Sequence, residues 1–214
     1  AFPDGALLQE GLLAAVEAEL AAFNQHVARG ALQHLPNSDL LQDERLISVS
    51  RLLNSIISAA FFTQPMLAFW VLLRSARGWF EEGYSRFFLY PMGCAMLPLI
   101  ALREDHATGY RAAQMALQAG LARDGGVETA RLQHVFGLFC AHWFEPLQSA
   151  LPHAQSALQG LLHAGDMEAA CFTYYTTQAA LADTATSLDE IQQEIDAALA
   201  CAGSMSNLHA RQAY

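Results

Sequence analysis

The chain has 214 residues, of which 53% are hydrophobic and only 15% charged, and its net charge is −10. All eleven cations are arginines scattered along the sequence, so the chain lacks the clustered basic footprint that nucleic-acid binding requires. A positive mean hydropathy of +0.19 with so few charges indicates that another domain or subunit covers part of the apolar surface.

The four cysteines, at positions 94, 140, 171 and 201, are widely spaced and form no CxxC pair. This spacing predicts a reducing, cytoplasmic compartment without a disulfide framework. The chain begins Ala1-Phe2-Pro3 and has no cationic, apolar leader at this end. We therefore expect no signal peptide, and we expect the chain to be a piece of a longer protein.

Nearly every segment is predicted to be helical, because Ala, Leu, Gln and Glu dominate and β-branched residues are sparse. The first helix is predicted from a cap at Asp4 or a neighbour to about Ala28, with Gly30 as its stop. The loop that follows contains Pro36 and leads to residue 38. Residues 1–38 are therefore interpreted as an N-terminal capping helix and loop.

The second helix is predicted from a cap at Ser38 or Asp39 to about Phe62, and the third from Pro65 to just before Gly83. No charge occurs from residue 52 to residue 73, a length that could span a membrane. Thr63-Gln64-Pro65 indicates a turn inside this run. Two buried helices of a soluble array explain it better than one span, so no membrane insertion is predicted.

The remaining helices are predicted over 86–103, 106–123, 128–144, 146–163, 167–182 and 187–203. Pro91 and Pro98 are expected to start, kink or interrupt the first of these. Ser187 followed by Glu190 forms a capping box at the start of the last. Residues 204–214 are predicted to be a C-terminal tail.

A repeat in the second half of the chain decides the predicted class of fold. The pattern Ala-Gln-x-Ala-Leu-Gln begins at Ala113 and again at Ala154, 41 residues later, and a fainter copy spans Glu194–Leu199. Periods of this size are typical of stacked helical hairpins, because one hairpin cannot bury its apolar face alone. We predict an all-α fold, an α-solenoid of about four helical hairpins forming a TPR-like superhelix over residues 39–203.

Several segments also resemble a known family. They are Asp43-Glu44-Arg45 with Leu52-Leu53, the Pro65 helix ending in Gly83-Tyr84-Ser85, Gly109-Tyr110-Arg111, Ala116-Leu117, 134–139, His142-Trp143 and 165–170. Together, over about 39–199, they resemble the helical-repeat segment of multidomain signalling proteins of the Ser/Thr kinase–STAND-type ATPase–GAF–histidine kinase type. The resemblance implies a bacterial protein in which this segment senses or restrains an attached ATPase or output domain.

No catalytic or metal-binding pattern is recognisable in the sequence. His134, Cys140 and His142 lack the spacing of a zinc site, and neither Gly-x-Ser-x-Gly nor a Walker A motif is present. The paired acids all lie at predicted helix ends, where carboxylates are usually solvated. We predict no enzyme activity, no metal and no cofactor.

The best candidate binding residues are aromatic or histidine side chains predicted on the first helix of each hairpin, the helix that commonly lines a concave face. They are Tyr90, His134, His142, Trp143, Tyr174 and Tyr175. Tyr and Trp are effective binding anchors, although core packing explains the same pattern. The sequence predicts a non-catalytic sensor or protein-interaction module whose partner is a neighbouring domain or a second copy. The alternative is a regulatory domain with a small molecule in an aromatic pocket between hairpins.

Overall fold

The structure, a computed structural model, describes residues 5–123, 125–205, 210 and 212, with side chains from residue 10 onwards. The described residues form an all-α fold whose only β feature is an isolated bridge between Leu40 and Tyr84. The helices fall into two compact units, residues 1–125 (unit 1) and 126–214 (unit 2). The predicted cap Asp4, and most of the predicted 204–214 tail, lie outside the described residues.

Unit 1 contains six α-helices: α1 Gly5–Ala28, α2 Glu44–Thr63, α3 Pro65–Glu82, α4 Leu89–Cys94, α5 Met96–Arg103 and α6 His106–Ala122. Gly30 follows α1 in the left-handed conformation with φ 79°, as expected for a helix stop. Residues 31–37 form a 3₁₀ helix where a loop is predicted. The helix α3 packs against both α1 and α2, and α6 packs against α4 and α5.

Unit 2 contains α7 Val127–Val135, α8 Ala150–Ala164, α9 Met167–Thr184 and α10 Leu188–Ser204. The helix α8 packs against α7 and α9, and α9 also packs against α10. Small residues permit this approach, since a Cβ added to Gly160 would lie 2.8 Å from the Cβ of Ala130. Leu161 is fully buried beside Ala130 and Ala170 in the core of this unit.

The predicted start of α2 is wrong. The cap of α2 was predicted at Ser38 or Asp39, which is four or five residues early, because Asp43 caps the helix by accepting from the amides of Arg45 and Leu46. The backbone before Asp43 pairs with Tyr84 instead. The amide of Tyr84 donates to the carbonyl of Asp39 at 2.7 Å, and the carbonyl of Tyr84 accepts from the amide of Leu41 at 2.8 Å. These bonds hold the segment extended.

The predicted helix over 86–103 is interrupted, as its prolines suggest. A 3₁₀ turn at Arg86–Phe88 precedes α4, and the break before α5 falls at Ala95. Pro98 has no amide hydrogen to donate to the carbonyl of Cys94, which explains a break at this point.

The predicted helix over 128–144 is not a single α-helix. It changes to a π-helix at Phe136–Cys140 and then to a 3₁₀ turn at Ala141–Trp143. Gly137 lies in the widened turn, where a Cβ would come within 3.2 Å of the Cβ of His153 and 3.3 Å of the carbonyl oxygen of Ala150. A Cβ here would be crowded by α8, so glycine suits this close approach.

The 41-residue period extends over more of the chain than the sequence repeat reveals. The segments that begin at Pro65, His106, Leu147 and Leu188 start 41 residues apart. Ten residues into each of them lies a small side chain that is buried, the four being Ser75, Ala116, Ala157 and Ala198. The sequence repeat is therefore matched by a structural register in which one position needs a small residue.

The uncharged run from residue 52 to residue 73 is divided between two helices, as predicted, with Pro65 at the start of α3. The prediction that both helices are buried is wrong for α2. The core residues Phe69, Val71 and Leu72 lie on α3. The helix α2 is long and apolar enough to cross a membrane by length and composition, and only 17% of that apolar stretch is buried.

Candidate functional site

The predicted binding residues divide between the two units. Tyr90 lies on α4 in unit 1, where its hydroxyl contacts the thiol of Cys94. The other five lie in unit 2: His134 on α7, His142 and Trp143 in the 3₁₀ turn, and Tyr174 and Tyr175 on α9.

His134 is a half-buried side chain beside the π-helix. Its Nδ1 lies 3.5 Å from Oγ1 of Thr176 on α9. Burial lowers the pKa of His134 to about 4, so the imidazole is neutral at pH 7. His153 on α8 contacts the Phe136 ring edge to face, with centroids 4.9 Å apart, and burial lowers its pKa as well. The two histidines therefore belong to the packing around the widened turn.

His142 and Trp143 are the most exposed of the predicted residues. Their rings lie 5.0 Å apart at an angle of 40°, and Trp143 is 49% exposed. A π-helix precedes them at Phe136–Cys140, and π-helical turns are frequent at functional sites. These two rings are thus available on the surface.

Tyr174 and Tyr175 are both half-buried, so neither is a full core residue. Tyr175 stacks on Phe172 with centroids 5.6 Å apart and an interplanar angle of 15°. Burial raises the pKa of Tyr174, and the nearby Glu194 and Cys201 on α10 add to the effect. The tyrosines thus lie against their own unit while remaining partly accessible.

An ion-pair network fixes the start of α9. Arg131 on α7 contacts Asp166 at 2.6 Å and Glu128 at 3.2 Å. Asp166 also caps α9 by accepting from the amide of Ala169, and Glu128 is buried. The network joins α7 to the first turn of α9.

A metal site is not assembled in the part of the chain that the structure describes. No three His, Cys, Asp or Glu side chains there come together to hold a metal ion. Burial raises the pKa of the Cys94 thiol to about 12, so it is protonated and a poor nucleophile at pH 7. The four cysteines are free, and Cys201 is the one that is not fully buried.

A stripe of exposed apolar side chains on α2 is the largest feature that the sequence predictions missed. Val49, Leu52, Ile56, Ala59 and Phe62 face outwards. Leu52 is 66% and Phe62 73% exposed. The signal was present in the sequence as the 3–4–3 spacing of apolar residues inside an uncharged run, a spacing that marks one face of a helix.

A cleft in unit 1 was also missed. It has a volume of about 340 Å³ and is lined on its apolar side by Leu41, Ile47, Tyr84 and Phe87. Arg86 and Arg123 provide its charged side, so we call it the arginine cleft. The two arginines are far apart in sequence, and nothing in the sequence pattern connects them. None of the predicted binding residues lines this cleft.

No family model, no curated protein and no solved structure matches the chain. The class that the fold defines is therefore an all-α protein with a 41-residue structural register.

Proposed function

We propose that the chain is a non-catalytic helical-repeat interaction module of a larger bacterial signalling protein, working in the cytoplasm, and that it binds a second copy of itself through α2. The observation that carries this proposal is the uncovered apolar stripe of α2. Soluble proteins rarely leave a contiguous stripe of this kind bare, so it is best explained as a surface that a partner covers.

The spacing of the stripe identifies the kind of partner. Val49, Leu52, Ile56 and Ala59 follow one another at intervals of three, four and three residues, which are the a and d positions of a heptad. The branched residues Val49 and Ile56 occupy a, and Leu52 occupies d. This arrangement favours a two-stranded helical seam, and a second α2 provides the same seam.

Three hydroxyls along α2 do not oppose the burial of the stripe. The hydroxyls of Ser48, Ser55 and Thr63 donate to the carbonyls of Glu44, Leu52 and Ala59 within the same helix, at 2.7–2.8 Å. Because these hydroxyl donors are satisfied inside the helix, covering the face does not leave them without acceptors. Ser55 and Ala59 are also small enough to let a second helix approach closely.

The structural register supports the proposed solenoid. Four helical segments with equal spacing and a shared small buried position are typical of repeat arrays. The resemblance to the segment beside STAND-type ATPases supports a regulatory role, in which pairing of two modules brings two attached ATPase or output domains together.

The test is sedimentation velocity over low micromolar to near-millimolar protein concentrations, for the chain itself and for two variants. Leu52→Glu with Ile56→Glu places charges in the seam. Leu188→Glu changes an 82% exposed leucine on α10 and is the matched control. We expect a concentration-dependent dimer that the double variant abolishes and that the control retains.

Three results would overturn the proposed pairing. One is a monomer at every concentration, and another is a dimer that the double variant does not weaken. The third is a monomer that sediments with phosphatidylcholine vesicles through the same stripe, since that outcome would assign α2 to a lipid surface. Circular dichroism of each variant separates loss of pairing from loss of folding.

The alternative function is a regulatory domain that holds a small molecule in an aromatic pocket between hairpins. The exposed His142–Trp143 pair favours it, because such rings are common anchors. Titration of Trp143→Ala against the unchanged chain, with a panel of aromatic ligands and tryptophan fluorescence as the signal, tests this function. A saturable signal that the variant loses would support it, and equal signals would overturn it.

A further inference from the structure

We propose that the arginine cleft of unit 1 binds an apolar carboxylate, meaning a carboxylate group attached to a short hydrocarbon or to an apolar chain terminus. The proposal does not depend on pairing through α2 or on the predicted aromatic residues. It rests on the composition of the cleft, on the hydrogen bonds of its two arginines and on its size.

The charge of the cleft is opposite in sign to the net charge of the chain. The sequence carries 21 acidic residues against 11 arginines, yet two arginines and no acidic residue are found among the described residues that line the cleft. A concave site with one sign of charge attracts ligands of the opposite sign. The cleft therefore favours an anion, although the protein as a whole repels anions.

Both arginines keep hydrogen-bond donors available. The guanidinium of Arg86 lies over the Phe87 ring, 5.0 Å from its centroid, and donates to no acceptor among the described residues. Arg123 uses its Nε and Nη2 on the carbonyls of Pro36 and Ser38, which leaves its Nη1 undirected. A guanidinium with free N–H groups matches the geometry of a carboxylate.

Arg123 is held rigidly while Arg86 is exposed. Besides its bonds to the two carbonyls, Arg123 stacks over the Tyr84 ring at 4.6 Å. Tyr84 is fixed in turn by its backbone bonds to Asp39 and Leu41. A side chain fixed before the ligand arrives loses little entropy on binding, so Arg123 positions the carboxylate and Arg86 closes on it.

The apolar wall of the cleft determines which group attached to the carboxylate would fit. The apolar wall consists of Leu41, Ile47, Tyr84 and Phe87. Such a surface does not favour a sugar or a second charged group. A volume of about 340 Å³ lies at the small end of ligand pockets. A hydrocarbon of moderate length or one or two apolar side chains would fit such a space.

The first experiment is isothermal titration of the full chain with octanoate and, as the uncharged match, with 1-octanol. The Arg86→Gln variant removes the exposed cation, and Arg29→Gln removes an exposed arginine of unit 1 that does not line the cleft. We expect saturable octanoate binding that Arg86→Gln weakens about tenfold, the loss of one charged hydrogen-bonding partner, and that Arg29→Gln leaves unchanged.

A second arm identifies the source of the carboxylate. A tripeptide ending in two leucines is titrated with a free carboxyl terminus and with an amidated terminus. Stronger binding of the free-acid peptide than of octanoate assigns the cleft to a chain terminus, whereas stronger binding of octanoate assigns it to a free acid. Equal binding of octanol and octanoate, no binding of any acid, or an Arg86→Gln variant that binds unchanged would each overturn the proposal. The Nε resonance of Arg86 in the unchanged chain, followed by NMR, reports whether the ligand reaches this side chain.

Discussion

The helices α2 and α9 begin at Glu44 and Met167, 123 residues or three 41-residue periods apart, yet their surroundings differ. In unit 2, α9 packs against both α8 and α10 and buries side chains such as Ala170, Cys171 and Thr173. In unit 1, α3 is the long helix that packs along α2, and α2 buries only Ser50, Ile57 and Ala60. The same kind of helix is therefore a core element in one unit and an open surface in the other.

The difference shows that exposure here follows from the number of helical neighbours and not from hydrophobicity. The exposed side of α2 is apolar, whereas α9 places three threonines, Thr173, Thr176 and Thr177, among its buried residues. Those hydroxyls are satisfied by Ala170, His134 and Glu194, respectively. The helix α2 thus packs against one long helix, whereas α9 packs against two.

The largest expected effect compares one substitution in the two settings. Leu161→Ala in the core of unit 2 should lower the free energy of unfolding by about 3–4 kcal/mol, because it leaves a cavity beside Ala130 and Ala170. Leu52→Ala on α2 should change it by less than about 0.5 kcal/mol in dilute, unpaired protein. Urea unfolding measures both. Similar losses would mean that α2 is not an open surface.

The second prediction concerns the imidazole of His134, which lies beside Thr176 of α9. The pKa of His134 is about 4 in the folded chain and 6.5 for an ordinary histidine, so the unfolded chain binds more protons between these values. The free energy of unfolding should therefore fall as the pH decreases from 6.5 to about 4, by on the order of 3 kcal/mol in total. Urea unfolding across this range measures the slope.

The matched controls are His134→Gln and His34→Gln. The first should remove most of the pH dependence in this window, leaving the contribution of His153, whose pKa is also lowered. His34 is exposed in unit 1, and its replacement should leave the slope unchanged. A slope that survives His134→Gln intact would contradict the assignment.

The third prediction concerns the ion pairs that fix α9 to α7. Arg131→Gln leaves the buried Glu128 without its cation and loosens Asp166 at the cap of α9. We expect a loss of about 2 kcal/mol, less than for a fully buried pair because Arg131 is partly exposed. Thermal unfolding compared with Arg29→Gln, an exposed arginine of unit 1, checks it. Equal stability of the two variants would argue against the network.

The smallest expected effect is at the cap of α2. Asp43→Ala removes the acceptor for the amides of Arg45 and Leu46 and should cost about 1 kcal/mol. Because α2 has fewer neighbours than α9, we expect the loss to appear mainly as faster hydrogen exchange in the first turns of α2. Exchange that accelerates equally throughout unit 1 would contradict this local effect.

The sequence determined the helices and most of their ends because these depend on local chemistry. Pro65 begins α3, Ser187 caps α10, and Gly30 and Gly165 adopt positive φ after α1 and α8, all as the residue types predict. The predicted start of α2 was wrong because a long-range backbone pairing with Tyr84, more than forty residues away, holds residues 39–41 extended. No local pattern contains that information.

Only the tertiary structure decided which apolar helix faces are covered and which charged side chains lie close together. The uncharged run was visible in the sequence, but α2 and α3 have similar compositions, and burial depends on what packs against each of them. The π-helix at Phe136–Cys140 arises where α8 approaches Gly137. Arg86 precedes α4 and Arg123 follows α6, yet both line one cleft. Periodicity and capping are encoded over a few residues, whereas burial and clefts depend on contacts between distant parts of the chain.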